Sequence, residues 1–143
     1  MSKSNDFEND LLRLIFNGTA IANLADNAVT GPLTSLFLAL HTSDPGEAGT
    51  QSTGEIAYTG YARIPVLRTS GGWAITANSV SPVANIEFAE MTRGVGGTAT
   101  FVTIGVAITG ATKVLYRGAL NPTIAVTTGV IPRIKPTSTI TED

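Results

Sequence analysis

From residue 33 to the end, glycine and proline punctuate the chain at intervals of roughly ten residues, and the stretches between them alternate apolar and polar side chains or run apolar throughout. That rhythm constrains the fold more than any other feature. An amphipathic helix needs ten or more residues with a period near 3.6, and each segment here is interrupted first. Short strands joined by tight turns are the structure such a chain can form. Frequent threonine, concentrated in the second half, agrees with this, because β-branched side chains suit a pleated surface.

The first segment behaves differently. Asn5 is placed to cap a helix with Glu8 three residues on, and Asp6, Glu8 and Asp10 put negative charge in the first turn, where the helix dipole favours it. The spacing predicts a helix over residues 6–16, with Phe7, Leu11, Leu14 and Ile15 on one stripe, Leu12 and Phe16 widening it, and Gly18 as its stop. Two readings follow. Either the helix lies against its own domain, or it is an arm that lays Phe7, Leu11 and Phe16 on a neighbouring subunit. Around IANLAD, residues 20–30 add a short helical turn before Gly31-Pro32 breaks it.

Beyond that break, Leu36, Leu38 and Leu40 alternate with Phe37, Ala39 and His41, which predicts a strand buried on both faces. Residues 61–68 form the next strand, and Pro65 assigns it to an edge or a bulge because proline has no donor for the ladder. Further strands are predicted at residues 73–76, near Val80, around Ile86 to Phe88, over 99–108 with Val102, Ile104, Val106 and Ile108 on one face, and over 112–120. Asn121-Pro122 is read as a turn into a strand at 124–126, followed by strands at 131–135 and 137–141. Eight to ten short strands at this spacing predict an all-β sandwich or barrel. The length of 143 residues is that of one domain, divided here into a helical arm at residues 1–30 and a β body at 31–143.

Residues 42–60 form the longest connection, opening with the turn former Asp44-Pro45-Gly46 and continuing through a stretch rich in Thr, Ser and Gly. Loops of this size inside a compact domain are usually functional or ordered by a partner. Asp44, Pro45, Glu47, Gln51, Glu55 and Tyr58 are therefore the candidate protein contacts, beside the helical Phe7, Leu11 and Phe16.

Charge and composition bound the function. Lys and Arg number 9 against 11 Asp and Glu, and the basic residues are scattered, so the footprint of a nucleic-acid binder is missing. No apolar run reaches the ~20 residues of a membrane-spanning helix, and the first residues lack the order of a signal peptide, so a protein made in the cytoplasm and used there, or in an assembly built there, is expected. The absence of cysteine removes disulfides and thiolate chemistry. His41 is the single histidine, too few for a histidine-based metal site, and reads as a strand-end imidazole bonded to a loop carbonyl. Arg93-Gly94-Val95-Gly96-Gly97 precedes a strand rather than a helix, so it fails as a phosphate cradle and reads as a hairpin loop. Trp73, Tyr58, Tyr61 and Tyr116 are assigned to packing rather than to a sugar platform. No catalytic residue, metal ligand or cofactor is assigned. Only 14% of residues are charged, against about 25% in typical soluble domains, and such a surface suits a large permanent interface.

Four segments carry a resemblance: FENDLLRLIFN near the start, LTSLFLALHTSDPGEAGTQSTGEIAYTGYARIPV in the centre, KVLYRGAL later and TED at the end. Together they resemble a family of small tailed-phage virion proteins, often labelled tail fibre proteins, over nearly the whole chain. Pro65 and Arg117 depart from its pattern, standing where an apolar and a small polar residue are common. In size and β-rich character the family is similar to jelly-roll capsid cement proteins that clamp HK97-type shells from outside. The resemblance implies a structural virion protein on the capsid exterior, bound to the major capsid protein and to copies of itself as a dimer or trimer. It implies no cofactor, no nucleic acid and no membrane. A tail-fibre or tail-tip component binding other tail proteins or a host glycan is the alternative implied.

Overall fold

The computed structural model describes residues 5–21 and 32–142, with side chains from Glu8 onward. The chain is mostly β, with antiparallel pairing and one helix, α1 (Asn5–Asn17). Nine strands follow among the described residues: β1 (Ser35–His41), β2 (Ile64–Leu67), β3 (Trp73–Thr76), β4 (Ser79–Pro82), β5 (Ile86–Glu87), β6 (Gly97–Gly105), β7 (Val114–Val126), β8 (Arg133–Ile134) and β9 (Ile140–Thr141). The all-β class with an N-terminal helix is as the turn spacing predicts. The proposed turn around IANLAD lies outside the described residues.

The chain divides into two compact units, and neither is continuous in sequence. Unit 1 is drawn from Met1–Ser35, Val66–Ile86 and Ile134–Asp143, and unit 2 from Leu36–Pro65 and Glu87–Arg133. α1 belongs to unit 1 and packs on β3 and β4. Leu12 and Phe16 are fully buried there, and the Phe16 ring meets Trp73 edge-on at 4.6 Å. The helix ends at Gly18, whose φ of 63° is a left-handed conformation that glycine adopts without a Cβ penalty. Its last carbonyls are taken up by Arg68, which donates from Nε to Ile15 and from Nη2 to Leu14, both at 2.6 Å, while Nη1 donates to the Leu33 carbonyl. In the small sheet β3-β4-β9, Val80 pairs with Ile140 and Ser79 with Thr141.

Unit 2 is built on an antiparallel ladder in which β6 lies between β1 and β7. β2 flanks β1 as the edge that Pro65 predicts. Burial along β1 covers both faces, with Leu36, Leu38, Ala39, Leu40 and His41 all buried. Two expectations fail in this sheet. Asn121-Pro122 does not reverse the chain; it sits in a bulge of β7 that lies between the pairs Phe101↔Ala119 and Ala99↔Ile124. β6 stops at Gly105, so Ile108 lies beyond the strand, half exposed. The glycine-rich segment at Arg93 to Gly97 is a connection rather than a hairpin, because β5 pairs with β8 while β6 pairs with β1 and β7.

Candidate functional site

Directly paired residues of adjacent strands point to the same side of a sheet. One face of the β1-β6-β7 ladder therefore carries Phe37, Ala39 and His41 beside Gly105, Thr103 and Phe101, with Arg117 and Ala119 of β7 continuing the rows. Residues 42–60 cross this face. Near the tip of the loop, Arg117 grips Asp44 through Nη1 at 2.8 Å from both carboxylate oxygens and Glu47 through Nη2. In the middle, the fully buried Gln51 donates from Nε2 to the Phe37 carbonyl at 2.9 Å. That side chain occupies the space above Gly105, where a Cβ would stand 2.1 Å from it. Nearer its end, the loop runs back along β1, with Thr42 N–H donating to Gly54 and Ile56 N–H donating to Leu40.

Two polar clusters hold the loop in place. His41 is fully buried, with Nδ1 2.9 Å from the Thr53 carbonyl and Nε2 2.8 Å from Thr103 Oγ1. A carbonyl can only accept, so Nδ1 carries the proton and Nε2 accepts from the threonine hydroxyl in the neutral ring. Burial lowers the pKa of His41 from its ordinary value, opposed by the bond to Thr53 and the nearby Glu55, while Arg63 adds to the lowering. The imidazole bonded to a loop carbonyl is as the sequence predicts.

Arg63 centres the second cluster. Its side chain is 2% exposed and makes a two-pronged pair with Glu55, Nε to Oε1 and Nη2 to Oε2, each at 2.8 Å. Nη2 also donates to the Gly110 carbonyl and Ser52 Oγ, and Nη1 to the Ala107 carbonyl, Thr112 Oγ1 and Gln51 Oε1. The bond to Glu55 raises the Arg63 pKa further above an already basic value. Tyr61 completes the arrangement, its hydroxyl donating to Glu55 Oε1 and accepting from the Leu40 N–H, both at 3.0 Å. Burial pushes its pKa well up. One guanidinium thus ties residues 51–55 to the connection between β6 and β7.

The nine residues predicted as contacts are placed very unevenly. Phe16, Pro45, Gln51 and Tyr58 are buried. Tyr58 donates its hydroxyl to the Ala89 carbonyl and stands edge-on to Tyr61. Glu55, half buried, is committed to Arg63. Asp44 and Glu47 remain exposed and are brought together by Arg117, while Leu11 is half buried on α1 and the Phe7 side chain lies outside the described residues. Sequence reasoning missed Arg63, Arg68 and Arg117, each of which joins segments far apart in the chain. The signal for Arg63 was a guanidinium inside an apolar alternation, which demands buried acceptors.

Among the described residues, no three His, Cys, Asp or Glu side chains gather at metal-binding distance, and no helix is long and apolar enough to cross a membrane. The buried polar groups of unit 2 bond to one another and to backbone carbonyls of the same unit. The chain belongs to the family described as Podophage GP4 fiber I protein gp80, which matches residues 2–141. It is a bacteriophage structural protein of fibre type. No curated protein matches the chain.

Proposed function

We propose that this protein is a structural part of the phage tail, a fibre component that acts by holding and contacting other proteins and has no catalytic step of its own. The family match over residues 2–141 carries this reading. The geometry is in keeping with it, since the long loop is fastened to the sheet by His41, Gln51, Arg63 and Arg117 and so presents a fixed surface. Asp44 and Glu47 are the exposed loop residues offered to a neighbour. Other tail proteins or a host glycan are its partners in this reading.

A capsid cement role is the second reading, favoured by the sparse charge of a small all-β chain, which suits broad permanent contact with a shell. The two differ in copy number. Quantitative gel densitometry of purified virions against the major capsid protein is expected to give a handful of copies per particle. Hundreds of copies would overturn the tail assignment in favour of a shell location.

A further inference from the structure

The long loop is held at both ends by ion pairs and in the middle by neutral bonds. At the tip Arg117 takes Asp44 and Glu47, and at the far end Arg63 takes Glu55 in its two-pronged pair. Residues 49–54 cross between these anchors. Gln51 donates from Nε2 to the Phe37 carbonyl and from its N–H to the Thr112 carbonyl, Gly54 accepts from the Thr42 N–H, and the Thr53 carbonyl accepts from His41 Nδ1. Arg63 adds only long bonds here, 3.4 Å to Gln51 Oε1 and 3.3 Å to Ser52 Oγ.

His41 is fully buried beneath this segment and is built to be neutral. Nε2 accepts from Thr103 Oγ1 on β6, so a proton arriving there from solvent forces that hydroxyl to turn from donor to acceptor. The charges around the ring are already balanced. Glu55 of the loop and Arg63 beside β2 act on it and neutralise each other at 2.8 Å, Tyr61 is a neutral phenol bonded to Glu55, and Arg117, opposite Thr103 on β7, is held by Asp44 and Glu47. A second ring proton therefore adds an uncompensated positive charge to the interior, close to a guanidinium, which is costly unless water reaches it. Burial already lowers the His41 pKa for this reason. The cheapest entry for water is through the neutral part of the cover, where Ser52, Thr53 and Gly54 are exposed on their outer side. We infer that residues 49–54 are a proton-released strap, closed over neutral His41 and lifted off the sheet when the ring takes a second proton, with the Arg117 and Arg63 anchors still in place. Lifting withdraws Gln51 from Gly105 and uncovers that part of the ladder face, while β1, β6 and β7 stay paired. The inference is independent of whether the protein sits on the tail or the shell.

Amide hydrogen exchange of the full chain, corrected for the intrinsic rate at each pH, tests it. Protection of the Gln51 and Thr42 amides is expected to fall at least about fivefold from about pH 7 to about pH 5, through an opening that low urea does not accelerate. Its upper bound is about thirtyfold, the ratio of charged to neutral imidazole at pH 5 for an ordinary histidine. His41→Gln keeps a neutral donor and acceptor and is expected to show no such fall, while every carboxylate is common to both proteins. The chain has one histidine, so its ring can be followed alone by NMR and is expected to titrate together with the amide signals of residues 49–54. Protection that is the same at both pH values, a fall that appears only through urea-sensitive global unfolding, an equal fall in His41→Gln, or a ring that titrates while those amide signals stay fixed would each overturn the inference.

Discussion

Arg63 and Glu55 show how much rests on a single guanidinium. Desolvating both charges is costly, and the cost is met by the carboxylate pair together with the Ala107 and Gly110 carbonyls. Glu55→Ala leaves Arg63 buried with part of its acceptors gone and is expected to lower stability by about 3 kcal/mol in urea unfolding. Adding Arg63→Met should restore part of that loss, since removing both charges is less harmful than stranding one. His41 adds a pH dependence. Its folded pKa is lowered, so between that value and the ordinary 6.5 the unfolded chain binds the extra proton. The stability it confers is complete above 6.5 and declines as pH falls through this window. Unfolding midpoints at about pH 7 and about pH 5 should therefore differ more for the wild type than for His41→Gln. The histidine was legible because its position at a strand end beside a loop is local information. Arg63 was not, because its carbonyl acceptors lie 44 and 47 residues away.

At the scale of elements, what the sequence shows best are the stops. Gly18 ends α1 and Pro65 marks an edge strand, each through its own backbone chemistry. Asn121-Pro122 misleads for the complementary reason. Its turn propensity is real, but β6 continues opposite it at Ala99, and the ladder closes on the far side of the bulge. Tertiary pairing outweighs the local preference. The end of α1 also depends on a distant residue, because Arg68 takes up two of its carbonyls. Arg68→Leu removes these charge-assisted bonds and is expected to cost about 1–2 kcal/mol. Faster amide hydrogen exchange confined to the helix would show the loss. Exchange accelerated equally in β6 and β7 would not fit a local cap.

For the molecule as a whole, the helix is part of a unit's interior. Deleting the first 17 residues removes the Phe16 ring from its edge-on contact with Trp73, which is 2% exposed. The deletion is expected to shift tryptophan emission to the red and to lower the thermal midpoint, and an unchanged spectrum would restore the detachable-arm reading. The division into two units was invisible in the sequence for a physical reason. The passages between them fall at 35–36, 65–66, 86–87 and 133–134, all within strands, where no linker composition marks a boundary. That interleaving sets an order of events during synthesis. Unit 2 ends at Arg133, so its last residues are translated before β9. Unit 1 holds α1 yet needs Ile140 to pair with Val80, so a helix translated before every described strand is among the last elements to find its complete surroundings.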